Sequence, residues 1–204
     1  RLKINSLIAT IATMMILQGG VYLYTREAVQ NRHQLDAFTA TGAGYIGPIP
    51  IPVIVAAAIF AAGYIAIRYT SFGRHLYAVG ANENAARLSG LRPANIKLVA
   101  FVLTGLFVGV TGLILGSLMN AGQPTAARGL ELTVIAACVI GGISIAGGVG
   151  TVPGALLGAL FLGIIVNALP VMQVTPFWQM AISGMVILAA VILNARSDRR
   201  GVKL

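Results

Sequence analysis

Few side chains in this sequence could carry out catalysis or bind a metal ion. The single cysteine, Cys138, lies in an apolar run, and the two histidines, His33 and His75, lie in separate charged loops. A disulfide needs a second cysteine, and a zinc site needs a cluster of closely spaced ligands. The glycine-rich stretch at 141–150 lacks the spacing and the lysine of a phosphate-binding loop. The sequence therefore predicts no catalytic residue, no metal site and no cofactor.

A few polar residues within or beside long apolar runs could instead form hydrogen bonds to a solute. Polar groups inside a membrane are costly and often mark a transport pathway. Gln18 and Asn167 would equally suit hydrogen bonds between helices, and Glu131 would equally suit the N-terminus of a helix, where the helix dipole stabilises a carboxylate. Chosen by polarity alone, the candidate pathway residues are Gln18, Asn120, Gln123 and Asn167.

The elements that position these residues belong to a chain too apolar for a water-soluble globule. Its 204 residues are 57% hydrophobic and only 9% charged, whereas soluble domains are about 25% charged. The mean hydropathy is +0.88. Because 14 Lys+Arg and 5 Asp+Glu cannot cover the surface of a soluble domain, the composition indicates an integral membrane protein.

The apolar runs predict an all-α, polytopic transmembrane helical bundle with about six spans. A helix needs about 20 apolar residues to cross a bilayer. Five runs approach that length and one is short, at 132–145. In chain order the predicted spans are 6–24, 50–69, 96–119, 132–145, 153–169 and 176–193.

The net charge of +9 marks one face of the membrane in this topology. Eleven of the 14 Lys+Arg lie before the first span, after the sixth, or between the second and third, counting Arg68 and Lys97 at the adjoining ends of those two spans. The positive-inside rule makes that face cytoplasmic, so both ends are predicted to be cytoplasmic. This arrangement requires 132–145 to cross the membrane. A nucleic-acid surface would need its charge in a patch on a polar domain, so we expect no nucleic-acid partner.

Glycines recur along one face of the third predicted span. Small residues on one face let another helix approach closely, which is how helices associate in lipid. The sequence favours a packing role, and a face that slides during transport is the functional alternative. These helix-packing candidates are Gly105, Gly109, Gly112 and Gly116.

The predicted cytoplasmic segment 70–97 is longer than a simple connection requires. Asn82 can cap a short helix at 83–89, and Gly90 can end it in a left-handed conformation. Glu83 precedes Arg87 by four residues, which is a favourable order for an ion pair on a helix. The helix could lie on the lipid headgroups, or it could dock onto a cytoplasmic partner.

Two stretches of the chain, with weaker support from 3–20, resemble a known transporter family. They are FGRHLYAVGANENAARLSGLRPANIK at 72–97 and AGQPTAARGLELTVIAACVIGGISIAGGVGTVPGALLGALFLGIIVNAL at 121–169. The chain resembles the permease subunits of bacterial ABC transporters that import monosaccharides of the ribose, arabinose and xylose type. It is more distantly similar to branched-chain amino-acid permeases. Family members are longer at the N-terminus, so the resemblance implies a single permease domain, 1–204, that is N-terminally incomplete.

The resemblance implies a role for the short helix in coupling. The family's coupling motif falls on Glu83, Ala85, Ala86 and Gly90, while Asn84 departs from the usual Glu or Ala. It implies docking onto a separate ATP-binding cassette ATPase subunit, a dimer of permeases, and a periplasmic sugar-binding protein, all at the bacterial inner membrane and in contact with membrane lipid. The chain itself would be a transport subunit and not an enzyme.

The expected function is import of a pentose-like sugar by alternating access, driven by the ATPase partner. One alternative is import of branched-chain amino acids by a related permease. A second is a secondary transporter or channel that works without an ATPase, and a third is a structural membrane subunit. Neither a channel nor a structural subunit needs a segment like 70–97. The sequence also lacks the Asn-Pro-Ala repeats of water channels.

Overall fold

The computed structural model describes residues 6–25, 29–30, 36–127 and 129–175, together with residues 178, 181, 182, 184, 185 and 188. The continuously described ranges are mainly helical, with four strands of two residues each. The helices are α1 (Ser6–Thr25), α2 (Asp36–Ala43), α3 (Ile51–Tyr69), α4 (Ser71–Ala81), α5 (Glu83–Leu88), α6 (Pro93–Met119), α7 (Leu130–Ile140) and α8 (Val152–Val171). The strands are β1 (Val29–Gln30), β2 (Tyr45–Ile46), β3 (Ile49–Pro50) and β4 (Ala121–Gly122).

Four of the described helices, α1, α3, α6 and α8, are long and apolar enough to cross a membrane. They confirm the predicted helices at 6–24, 50–69, 96–119 and 153–169, with α6 beginning three residues earlier, at Pro93. Many of their large apolar side chains are exposed, for example Phe101 and Leu157. Such a surface suits contact with lipid tails, since the bilayer core is as apolar as the side chains. The chain is therefore a polytopic, all-α membrane protein.

The helix within the short predicted span is shorter than the sequence suggested. α7 ends at Ile140, and at about 1.5 Å per residue its 11 residues reach only about half of the ~30 Å hydrocarbon core. It ends in a Schellman motif. The amide of Ile143 donates to the carbonyl of Cys138, and Gly142 has a φ of 81°. The predicted sixth span, 176–193, lies outside the continuously described residues. The count of six spans and the cytoplasmic ends remain predictions.

The described residues divide into two compact units, of which the first comprises Arg1–Val55 and Val108–Arg128. In this unit β1 pairs antiparallel with β4, and β2 pairs antiparallel with β3. The hydroxyl of Ser117, which is buried, donates to the carbonyl of Phe38 at 2.5 Å. These contacts join the end of α6 to α2 and to the segment that precedes it.

The second unit comprises Ala56–Phe107 and Gly129–Leu204, and its centre is the pair α7 and α8. Ala136, Ala137 and Leu162 form its buried apolar cluster. Glycines let the two helices approach closely. A Cβ atom added at Gly158 would collide with the carbonyl oxygen of Ala137, and one added at Gly154 would collide with that of Gly141. This is the close packing by small residues expected within lipid.

Candidate functional site

The candidate site is the coupling segment, 70–97, and its helix α5 is fixed by its own caps. The side-chain oxygen of Asn82 accepts a hydrogen bond from the amide of Ala85 at 3.0 Å, as an N-cap should. At the other end Gly90 has a φ of 84°, and the amide of Leu91 donates to the carbonyl of Ala86 at 3.1 Å. This is a Schellman motif. Both predicted caps are confirmed, and the helix ends at Leu88 with Ser89 as its C-cap.

Glu83 forms two ion pairs, of which the one with Lys97 joins α5 to the beginning of α6. Its Oε2 lies 2.5 Å from the Nζ of Lys97, and its Oε1 lies 3.5 Å from the Nη2 of Arg87. The pair with Arg87 was expected, whereas the pair with Lys97 was not. The hydrogen bond and charge of Lys97, and to a smaller extent Arg87, hold the pKa of the Glu83 carboxyl below its ordinary value. The carboxylate therefore stays ionised at neutral pH.

The surface of α5 faces two ways. Ala86 is buried, with 5% of its surface exposed, and it fastens the helix to its surroundings. Leu88, in contrast, is 91% exposed, and Asn84, Ala85 and Arg87 are also exposed. Leu88 is thus an exposed apolar side chain with polar neighbours on the open side of α5. Of the four predicted coupling residues, only Ala86 is buried in this chain.

A second helix in the segment, α4, was missed by the sequence reasoning. It begins after Thr70, whose hydroxyl caps the amide of Gly73 at 3.4 Å. Val79 and Gly73 are buried, and Phe72 and Leu76 are half-buried. The signal was present, because Phe72, Leu76 and Val79 recur at the spacing of one helix face.

α4 lies against the glycine-rich loop at 141–151. The hydroxyl of Tyr77 donates to the carbonyl oxygen of Gly150 at 2.6 Å. The backbones approach so closely that a Cβ atom added at Gly80 would lie 2.8 Å from the nitrogen of Gly148. Gly147 and Gly148 have φ values of 95° and 74°, which favour glycine. The loop is thus a contact between the coupling segment and the α7–α8 pair.

The four candidate pathway residues occupy different environments. Asn120 has a φ of 48° after the end of α6, and its buried Oδ1 has no hydrogen-bond partner among the described residues. Gln123 is exposed in the turn that follows, and Gln18 is half-buried on α1. The amide of Asn167 donates to the carbonyl of Gly163 within α8 at 2.8 Å. Asn120 and Gln123 lie three residues apart in the sequence, and the role of all four stays a prediction.

The glycine stripe on α6 meets open space along most of its length. Cβ atoms added at Gly105, Gly109 and Gly112 would have no heavy atom of the described chain within 4 Å, and one added at Gly116 would meet the ring of Phe38 at 3.8 Å. The tight glycine packing lies instead between α7 and α8. Packing through the α6 stripe stays a prediction.

Comparison with known proteins identifies the family. Residues 1–191 match the family described as the branched-chain amino acid transport system / permease component. The chain belongs to this permease family. The family and the four membrane-length helices confirm the expected location in the bacterial inner membrane, which the chain crosses several times.

Relatives of this permease include permease proteins named for sugars. It is 39% identical to the L-arabinose transport system permease protein AraH of Escherichia coli, over 95% of this chain and 59% of that protein. It is 38% identical to the ribose import permease protein RbsC of Haemophilus influenzae, over 94% of this chain and 60% of that protein. It is 42% identical to the xylose transport system permease protein XylH of Escherichia coli, over 85% of this chain and 45% of that protein.

The similarity to monosaccharide permeases is thereby confirmed. The chain spans about three-fifths of the length of the arabinose and ribose permeases that it matches. No solved structure matches this permease significantly.

Proposed function

We propose that this permease is the membrane-spanning subunit of an ATP-driven importer for a pentose-like monosaccharide. The observation that carries the proposal is α5, a capped helix with one exposed side. In the sequence it lies between the membrane-length helices α3 and α6. Such a helix suits docking onto a separate ATP-binding cassette ATPase subunit through its coupling residues Glu83, Ala85, Ala86 and Gly90, of which the buried Ala86 would hold the helix in place while the others meet the partner. Motion of that partner would then reach the spans, and the pathway would open to one side at a time.

Two sets of contacts support transmission of this motion from α5. Lys97 binds Glu83, so a displacement of α5 pulls on the first turn of α6. On the other side α5 follows α4 after the single residue Asn82, and α4 contacts the glycine-rich loop through Tyr77 and Gly80. The coupling segment therefore connects mechanically to α6 and to the α7–α8 pair. The assignment of one permease domain, 1–204, with coupling segment 70–97, stays part of the proposal.

The contacts also support the predicted topology. The loop at 141–151 contacts α4. The two should therefore lie on the same side of the membrane. In the first unit, β1 pairs with β4, which joins the two connections predicted to be periplasmic. A reporter fused after Gly150 should accordingly read cytoplasmic, and a periplasmic signal would refute the six-span topology.

The substrate class rests on the relatives and on the polarity of the chain. Their names specify arabinose, ribose and xylose. A neutral sugar needs hydrogen-bonding groups but no opposite charge, which suits amides such as Gln18, Asn120, Gln123 and Asn167. Asn120 is the strongest of these candidates, because its Oδ1 is buried and has no hydrogen-bond partner in the part of the chain that the structure describes. A periplasmic sugar-binding protein would deliver the substrate.

A second permease copy would complete the transporter. The stripe of Gly105, Gly109 and Gly112 on α6 leaves space that another helix could fill.

The alternative is import of a branched-chain amino acid, which the family description favours. Uptake by cells that carry the complete importer distinguishes the two. We expect radiolabelled arabinose, ribose or xylose to accumulate and leucine not to compete. Accumulation of leucine alone would reverse the assignment.

Docking is tested by Leu88→Glu. Because Leu88 is almost fully exposed, the substitution costs the fold little, and loss of contact with a partner should dominate. We expect at least a tenfold loss of co-purified ATPase subunit and a matching loss of uptake. Ala94→Glu is the control, since it adds the same charge at an exposed position outside α5. Unchanged co-purification of Leu88→Glu would contradict docking through α5.

A further inference from the structure

A partly open cavity of about 410 Å³ lies where α3 ends and α4 and α8 begin. Two arginines, Arg68 and Arg74, line it together with Tyr64 and Tyr77. Val152 and Pro153, at the beginning of α8, form another part of the wall. All of these residues belong to the second unit, so the cavity is formed within one body.

The two arginines lack a carboxylate partner among the described residues. The guanidinium of Arg68 lies over the Tyr64 ring, with its Cζ 5.6 Å from the ring centroid. Arg74 donates to the carbonyl of Thr70 at 3.3 Å. No lining residue is acidic, and Glu83 is already paired with Lys97 and Arg87. The cavity therefore holds two positive charges that an anion could neutralise.

The rest of the cavity is mainly apolar, apart from Thr151 and the tyrosine hydroxyls, and it lies at the end of a membrane-length helix. Ile67, Val152 and Pro153 supply the apolar wall, and an adjacent cavity of about 400 Å³ shares Ile67 and Val152. Arg68 stands in the last turn of α3, which is long enough to span the bilayer. That position corresponds to headgroup depth, where Tyr and Arg are favoured at the interface. The N-terminus of α8 adds the positive end of its dipole, which helps an anion but would not make a site alone.

We propose that this cavity, the Arg68–Arg74 cavity, binds an anionic phospholipid. The two guanidinium groups would hold the phosphodiester, because Arg matches phosphate oxygens with paired N–H donors. An acyl chain would lie along Ile67, Val152 and the adjacent apolar cavity. A free phosphate could bind the two arginines but would not cover the apolar wall. A cavity that has both arginines and an apolar wall therefore favours a lipid. The proposal does not depend on which solute the permease transports.

Binding can be measured on the purified full-length permease in a neutral detergent. Native mass spectrometry would count bound phosphatidylglycerol against phosphatidylcholine of identical acyl chains, with inorganic phosphate as a third probe. We expect phosphatidylglycerol to bind and the other two not to compete. Arg68→Gln and Arg74→Gln should each weaken binding about fivefold, since a basic residue near an anionic membrane surface contributes about that factor. The double variant should weaken it about 25-fold if the two contributions add.

Arg92→Gln is the matched control, because it removes one exposed charge from the same segment but lies outside the cavity lining. A further test needs no variant. Binding of phosphatidylglycerol to the unaltered protein should weaken when the salt concentration is raised. Equal binding of phosphatidylcholine would overturn the proposal. So would displacement by millimolar inorganic phosphate, or an effect of Arg92→Gln as large as that of Arg68→Gln.

Discussion

The hydroxyl of Tyr77 donates to the carbonyl oxygen of Gly150 across 73 residues of sequence. One partner lies on α4, next to the coupling helix, and the other lies two residues before α8. A force applied to α5 therefore has a direct route to the helix pair that forms the packed centre of the second unit. Substitutions in this route, and in the helices that form it, test whether it transmits motion.

Removing the Tyr77 hydroxyl should loosen coupling more than it loosens the fold. In Tyr77→Phe the ring stays, and one hydrogen bond worth about 1 kcal/mol is lost. We expect a small drop in unfolding temperature, normal co-purification with the ATPase subunit, and ATP hydrolysis that drives less uptake per ATP. Tyr69→Phe is the control, since that side chain is exposed at the end of α3. If both variants transport equally well, the hydrogen bond has no role in coupling.

A methyl group at Gly158 should separate α7 from α8. Its Cβ would collide with the carbonyl oxygen of Ala137, so one backbone must move. We expect a loss of about 1–3 kcal/mol in stability, which is typical of overpacking, measured by thermal unfolding in detergent. Gly163→Ala is the control on the same helix, where the added Cβ meets open space within the described chain. Equal stability of the two variants would show that the close approach is not maintained in the membrane.

The Glu83–Lys97 ion pair can be tested by exchanging the charges of its two residues. Glu83→Lys places two cations together and should reduce co-purification with the ATPase subunit. Adding Lys97→Glu should restore part of it, because the pair is re-formed with the charges exchanged, while the contact of the Glu83 carboxylate with the partner stays lost. No recovery at all in the double variant would mean that the ion pair with Lys97 does not contribute to docking.

The same pair gives a pH dependence of known sign. Because the folded pKa of Glu83 is lowered by Lys97 and then Arg87, its stabilisation is complete above the ordinary pKa of a glutamate. It is lost as the pH falls through the lowered pKa. Docking should therefore be constant between about pH 8 and pH 6, where glutamate stays ionised. A decline within that range would have to come from another group.

The N-cap of α5 should be worth about 1 kcal/mol, the usual cost of replacing such a residue by Ala. In Asn82→Ala the amide of Ala85 loses its partner, and hydrogen exchange at 83–88 should become faster. Asn95→Ala, at an exposed position in the first turn of α6, should leave that exchange unchanged. Equal protection in both variants would show that the Schellman motif at Gly90 alone holds the helix.

Local features of this permease could be predicted from sequence, and long-range contacts could not. Asn82 and Gly90 act on residues within a few positions of themselves, so their identity was sufficient to place α5. The long apolar runs likewise placed α1, α3, α6 and α8. The contact of Gly80 with Gly148 could not be predicted in this way. Glycines have no side chain, so the sequence does not indicate which residues they contact. The end of α7 was placed too late, since Gly141 and Gly142 were taken as part of a span and instead cap the helix.

The bonds that shape α5 all close within a short stretch of chain. Both caps lie between Asn82 and Leu91, and Lys97 supplies the ion pair only a few residues later. During synthesis the coupling helix therefore has every bonding partner available before α7 and α8 have been made. Gly150, the acceptor for Tyr77, emerges much later. Short-range contacts form early and distant ones late, so the docking helix should take shape first and be connected to α7 and α8 last.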